Sequence, residues 1–375
     1  MSTFSDFALL PSLQATLKEK KLITPTEIQS RALPLLLDGR SVVGVAETGS
    51  GKTLTYVLPV LHHLKTLENN GDKVNADSRP RAVVVVPTRE LGEQVTKVFK
   101  PFTHTTRVRV RSVLGGTTAE QAKRGIAGQF EVLVATPGRL LQFVEKKILS
   151  LGDVRMLVLD EADQMLDQGF LTDAIRIVSS CPRERQLALF SATVNSQVQA
   201  LMKELFEKAE VIRTAGSSRV VQTLKTRNAK VIDGKRLPLL EAVLQEKVEG
   251  GTLIFTNTRE QCDKLFTEML AKSHKCAIYR GEMDKQERRR NLKAFIEGKI
   301  DYLISTDLAG RGLDVEHVGR VINYHLPKGM DNYLHRVGRT ARAGRSGLVI
   351  NFVTERDEPL VERLEEVRAK PKHRF

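Results

Sequence analysis

Two short runs hold side chains suited to phosphate chemistry. In AETGSGKT, residues 46–53, glycines at 49 and 51 follow the apolar run SVVGV and precede a helical pattern. Such a turn lets successive backbone N–H groups curl around phosphate oxygens, and the helix N-terminus adds its dipole. On this spacing Thr48, Gly49, Ser50 and Gly51 form the cradle, the Lys52 ammonium reaches the β- and γ-phosphates, and the Thr53 hydroxyl holds Mg2+. In LVLDEAD, residues 157–163, carboxylates end an apolar run at the edge where α/β proteins place ligands. Asp160 is the candidate Mg2+ partner, through water because Mg2+ keeps much of its hydration shell, and Glu161 is the candidate that orients or deprotonates an attacking water. Each run alone has a bland reading, a glycine-rich turn or a helix start with solvated acids. At the ends of separate strands in one domain they specify a Mg-nucleotide site.

A third run, HRVGRTARAGR, sets Arg336, Arg339, Arg342 and Arg345 three residues apart. On one helix they would share a face and repel unless an anion neutralised them. A bound anion and a solvated basic face both fit this segment taken alone.

The elements that must position these runs follow from patterning. Short β-branched runs alternate with longer helical patterns: SVVGVA with GKTLTYVLPVLHHL, RAVVVV with TRELGEQVTKVF, EVLVA with GRLLQFVE, then RMLVLD and QLALF. This predicts βαβ units around a buried parallel sheet. The alternation pauses in the small polar stretch RTAGSSRVVQ and restarts through TLIFTNT, CAIYR, DYLIST, RVINYH and GLVINFVTE. The expected organisation is an α/β domain over 1–213, a linker over 214–221, a second α/β domain over 222–358, and a helix with a basic end over 359–375. At 375 residues the chain exceeds what one hydrophobic core usually serves.

Composition narrows the partner. Lys and Arg number 59 against 45 Asp and Glu, a net charge of +14, which favours a polyanion and puts nucleic acid first. No apolar run approaches the roughly 20 residues of a spanning helix, and the start MSTFSDFALL carries no basic, apolar leader. A cytoplasmic chain with no membrane partner is expected. Cys181, Cys262 and Cys276 lack the spacing of a disulfide framework or zinc site and are expected to be buried. With no Trp and 5% aromatic residues, any RNA grip is expected on the backbone rather than on rows of stacked bases.

In order along the chain stand PTEIQ (25–29), AETGSGKT, PTREL (87–91), Gly115-Gly116, TPGR (136–139), DEAD (160–163), SAT (191–193), LIFTNT (253–258), STDLAGRGLD (305–314) and HRVGRTARAGR. This ordered set, spread over nearly the whole chain, resembles the DEAD-box family of ATP-dependent RNA helicases. The resemblance implies two tandem RecA-like domains joined by a short linker, with ATP and Mg2+ as ligands, RNA as partner and a monomeric core. It implies that Gln29 reads the adenine edge and Phe4 stacks on the base, or else that Phe4 staples the first helix. It assigns RNA backbone contacts to Arg89, Gly116, Thr136 and Arg139, and to Thr256 and Thr306. Without it, Thr136 would read as a helix cap and Arg89 as half of an ion pair. It implies further that Asp163, Ser191, Thr193 and His335 couple the ATP site to RNA, that Asp307 contacts the ribose, and that Arg339 and Arg342 face the γ-phosphate. Arg336 then fixes its segment or approaches RNA.

The sequence departs from the family's commonest form at Lys21, Glu27, Gly310 and Ala341, and in YRGEM (279–283), which puts Arg280 near the expected RNA path and leaves the part played by Glu282 open. The expected activity is an RNA-dependent ATPase that separates short duplexes as ATP and RNA close the domains. An ATP-gated RNA clamp, a DNA translocase and a kinase using the phosphate loop alone are the alternatives; the last leaves the second domain and the basic balance unexplained.

Overall fold

Runs of Val, Leu and Ile with both faces buried make the central strands, and helices cover those faces, whereas the edge strands VRSV (110–113), EVIR (210–213) and KTRNAK (225–230) are largely exposed. The computed structural model describes residues 3–47, 49–116, 119–214, 224–281, 283–307, 318–340 and 347–369. By contacts the chain divides into two compact units, Met1–Ala215 and Gly216–Phe375.

The first unit carries β1 (Val42–Val45), β2 (Ala82–Val85), β3 (Val110–Val113), β4 (Val132–Ala135), β5 (Met156–Leu159), β6 (Gln186–Ser191) and β7 (Glu210–Arg213) in the order β3-β4-β2-β5-β6-β1-β7. Every pairing is parallel. Its helices are α1 (Pro11–Glu19), α2 (Glu27–Leu37), α3 (Lys52–Asn69), α4 (Arg89–Thr106), α5 (Ala119–Gly125), α6 (Pro137–Glu145), α7 (Ala162–Asp167), α8 (Leu171–Ser179) and α9 (Ser196–Leu205). Alternate residues of one strand feed opposite cores: Val84 and Val158 pack with α1 to α4, Val83 and Leu157 with α6 to α9. Because the strands are parallel, all their carboxyl ends open on one edge, and the loops after β1, β2, β3, β4, β5 and β6 converge there.

The second unit repeats the plan with β8 (Lys225–Lys230), β9 (Gly251–Thr256), β10 (Cys276–Tyr279), β11 (Tyr302–Thr306), β12 (Val318–Asn323) and β13 (Leu348–Val353), ordered β10-β11-β9-β12-β13-β8 and again wholly parallel. The helices are α10 (Arg236–Leu244), α11 (Arg259–Ala271), α12 (Lys285–Ile296), α13 (Met330–Val337) and α14 (Glu358–Ala369). Asn228, Asn351 and Asn323 stand in register on β8, β13 and β12 and form a ladder: Asn323 donates to Asn351 at 2.8 Å and Asn351 to Asn228 at 2.9 Å.

All three cysteines are free and buried, and burial pushes the Cys181 and Cys262 thiols up to about 12 and that of Cys276 to about 11. Among the described residues no helix is long and apolar enough to cross a membrane.

Candidate active site

The loop after β1 turns through Gly49 at φ +86° and Gly51 at φ +91°, and α3 begins at Lys52. A side chain at Gly51 would be strained by that φ and would meet the Gln29 amide at 2.5 Å. Ser50 ties the loop by donating to the Glu47 carbonyl at 2.7 Å, while Thr48 lies outside the described residues. Lys52 is buried, donates to the Ala46 carbonyl at 2.8 Å, and sits 3.3 Å from a Glu161 carboxylate oxygen. The first turn of α3 therefore faces the loop after β5.

That loop is unusual. Glu161 is a non-glycine residue at φ 49°, ψ 53°, the N-cap of α7, and its N–H donates to Asp160 Oδ1 at 2.9 Å. Left-handed backbone at such a residue costs on the order of 1 to 3 kcal/mol and persists only where the surroundings over-determine it. Asp160 is fully buried beside it, and burial pushes its carboxyl up to about 6, helped by the Glu161 charge and opposed by Lys52. Tyr56, one turn into α3, donates to Asp160 Oδ2 at 2.7 Å. Burial first, then the Asp160 charge, raises the Tyr56 phenol well above its ordinary value, so it is a donor throughout the physiological range. Sequence reading missed Tyr56, because in an apolar helical pattern an aromatic at this position reads as core.

The last carboxylate of the run reaches β6. Asp163 Oδ2 accepts from the Thr193 N–H at 2.9 Å and its hydroxyl at 2.8 Å. Ser191 Oγ donates to the Thr193 carbonyl at 2.7 Å and accepts from the Asp163 N–H at 3.2 Å. Three residues predicted to act together are thus in direct contact.

Gln29 is buried between two backbone groups: Oε1 accepts from the Thr26 N–H at 2.9 Å, closing a capping box on α2, and Nε2 donates to the Gly51 carbonyl at 3.1 Å. Each end of the amide keeps one further hydrogen-bonding valence. Phe4 is buried in the core beside Phe7, its ring centroid 6.2 Å away. On the neighbouring loops, Arg89 opens α4 and pairs with Glu93 at 2.7 Å, Gly116 turns at φ +84°, and Thr136 accepts from the Gly115 N–H at 3.1 Å. Arg139 donates to Gln142 at 2.7 Å.

In the second unit Thr256 is fully buried at the end of β9 and donates to the Thr258 carbonyl, and Thr306 is buried at the end of β11. Arg280 pairs with Asp263 at 3.0 Å. The four arginines do not share one helix: α13 stops at Val337 with Gly338 as its C-cap, Arg336 lies in the last turn, Arg339 lies beyond the helix, and Arg342 and Arg345 lie outside the described residues. Buried Arg339 donates to the carbonyl of His335, itself buried. Arg336, 1% exposed, points inward. Its guanidinium binds both oxygens of Asp307, the Asn323 and Asn257 side chains and the His325 carbonyl, and lies 5.1 Å from the centre of the Phe255 ring. Of the two options left for Arg336, it fixes its segment. Neither Asn257 nor the depth of Arg336 had a sequence signal, since the partners are 11 to 79 residues away.

A phosphate cradle, a buried lysine and a carboxylate pair at the strand ends of a parallel sheet, followed by a second unit of the same plan, define a nucleotide-hydrolysing enzyme. Residues 26–201 match the DEAD/DEAH box helicase family and residues 235–344 the helicase conserved C-terminal domain. The chain is 34% identical over 94% of its length to the ATP-dependent RNA helicase RhlB of Pectobacterium carotovorum, covering 82% of that protein. It is 35% identical over 94% to the DEAD-box ATP-dependent RNA helicase RhpA of Helicobacter pylori, covering 70% of it. Among solved structures, Saccharomyces cerevisiae Dbp5 bound to RNA and ADP BeF3 is similar with a TM-score of 0.85 at 28% identity, over 99% of this chain and 95% of that one. The chain belongs to the DEAD-box family of ATP-dependent RNA helicases.

Proposed function

We propose that this helicase hydrolyses ATP only when RNA and nucleotide together draw its two units closed, and that closure bends one strand and separates a short duplex, in the cytoplasm. The observation that carries the proposal is the pair of contacts at the two ends of the segment 161–163, Lys52 with Glu161 at one end and Asp163 with Ser191 and Thr193 at the other. It joins the phosphate loop to residues read as the RNA-coupling segment within one unit.

In this reading Thr48, Gly49, Ser50 and Gly51 cradle the phosphates, Lys52 neutralises the β- and γ-oxygens, and Glu161 orients the attacking water. Gln29 reads adenine through its remaining valences, with Phe4 beside the base. A divalent cation would be held by Thr53, by Asp160 and by the nucleotide's phosphates. Among the described residues no cluster of three metal-ligating side chains exists, and so sparse a protein donor set suits Mg2+, which keeps its waters. The cation would neutralise charge on the phosphates. Charge developing on the γ-phosphate away from Lys52 still needs a partner; Arg339 and Arg342 supply it on closure, a contribution worth about 10³ to 10⁵ in rate in other systems. Asp307 contacts the ribose and His335 joins the coupling set. RNA lies along its backbone on Arg89, Gly116, Thr136 and Arg139, and on Thr256, Thr306 and Arg280. Such contacts hold any sequence.

ATPase rates with no nucleic acid, single-stranded RNA, duplex RNA and DNA test the coupling. RNA should stimulate by at least about ten-fold and DNA should not; equal rates in all arms would sink the proposal. Strand displacement must accompany turnover, because ATP-gated binding without displacement would make the protein a clamp.

Tyr56 gives a second expectation. Tyr56→Phe keeps the ring but leaves Asp160 Oδ2 without its donor, so the Mg2+ concentration giving half-maximal nucleotide binding should rise about ten-fold, the scale of residues that orient metal ligands. Fluorescent-nucleotide titrations at graded Mg2+ measure it. An unchanged midpoint would leave the phenol a purely structural part.

A further inference from the structure

A cleft of about 360 Å³ runs between the carboxyl half of α4 and the edge strand β3. Its walls carry Lys97 and Lys100 from the helix and Arg107, Arg109 and Arg111 from the strand side. Lys97, Lys100, Arg107 and Arg111 are exposed and make no ion pair among the described residues. Arg109 alone is paired, with Glu131, and senses Glu68. Holding five cations together in one cleft against one carboxylate partner is unfavourable in the isolated protein and is relieved by a bound polyanion. Among the lining residues only Val108 and Val110 are apolar; Thr96 and Thr103 add hydroxyls, and the Lys and Arg stems carry their charge to the rim.

Position selects the polyanion. The start of α4 meets the segment after β3 so closely that a Cβ at Gly92 would lie 2.4 Å from the Leu114 side chain. Arg89 and Gly116, both on the RNA path proposed above, are at this end. From Arg89 to Lys100 the helix axis rises about 16 Å, which is about five nucleotides of duplex rise. A strand leaving Arg89 along the sheet edge therefore runs onto the cleft.

We propose that the α4 and β3 cleft is an accessory site for RNA phosphates, which grips RNA continuing beyond the contacts at Arg89 and Gly116. The inference rests on that RNA path. The site adds affinity and length dependence without touching the nucleotide, so a long RNA binds more tightly and with a steeper salt dependence than a short one.

The test is the triple variant Lys97→Gln, Lys100→Gln, Arg111→Gln in the full chain, all at exposed positions where substitution costs little stability. Affinity is measured across a salt series for single strands of about six and about 20 nucleotides, and losing three phosphate contacts should flatten the log K against log salt slope of the longer strand by about 2. Its affinity should fall by about ten-fold at low salt, while the short strand and its maximal ATPase stimulation stay unchanged. Unchanged affinity and slope for the long strand overturn the proposal, and if the variant then also loses binding to polyglutamate, the cleft belongs to an acidic protein. Equal losses on both lengths also overturn it, because the cleft would then lie within the main path. Arg89→Ala is the separate control. If it leaves short-strand binding intact while the triple variant weakens the long strand, the Arg89 path fails and the cleft stands.

Discussion

Glu161→Gln should lower ATP turnover by about 10³-fold, within the range of a lost general base or water-positioning group, and leave ATP and RNA binding within a few-fold. The substitution keeps side-chain volume and a polar oxygen facing the Lys52 ammonium, which stands 3.3 Å away. It removes the charge that pulls a proton from water. Its electrostatic cost to the fold is small because two effects oppose: Lys52 loses one counter-charge, but Asp160 loses the neighbouring anion that helps push its carboxyl up to about 6. Asp160 then ionises more readily and serves Lys52 in place of Glu161. Pre-steady-state ATPase measurements beside nucleotide and RNA titrations separate these effects. Turnover within ten-fold of the unsubstituted protein would remove Glu161 from the chemistry.

The second large effect is on stability. Arg336→Leu should destabilise the second unit by about 3 to 5 kcal/mol, the usual result of deleting one member of a buried ion pair. It would leave the Asp307 carboxylate, the Asn257 and Asn323 amide oxygens and the His325 carbonyl without their shared donor. At about 2 to 4 °C per kcal/mol for a unit of this size, the corresponding transition should fall by about 10 °C. Differential scanning calorimetry of the full chain reads it, and a shift below 2 °C would contradict the buried network. Arg336→Lys should rescue little, because one ammonium with three donors cannot span five acceptor atoms in four residues.

The fold was largely readable because doubly buried parallel strands are written as local runs: AVVV at 82–85 and MLVL at 156–159 can scarcely be anything else. The phosphate loop was readable for the same reason, since its glycines, lysine and threonine are contiguous. What escaped were relations between distant residues. Tyr56 becomes informative only when Asp160, 104 residues later, is brought beneath it. The three-residue arginine spacing suggested one helical face, yet Gly338 ends the helix between Arg336 and Arg339, so one arginine became a buried anchor and the next a member of the following loop. The left-handed backbone at Glu161 also had no signature, because the residue there is not glycine or asparagine.

The asparagine ladder of the second sheet has a polarity. An arginine can only donate, so Arg336 compels Asn323 to turn its oxygen toward it. The Asn323 amide nitrogen must then face Asn351, whose own nitrogen must face Asn228. Three amides that would otherwise be free to turn end for end are set by one charge, as a row of compass needles is set by a single magnet. The strand at the far edge thereby receives a definite donor, aimed at it across two neighbours from a helix it does not pair with.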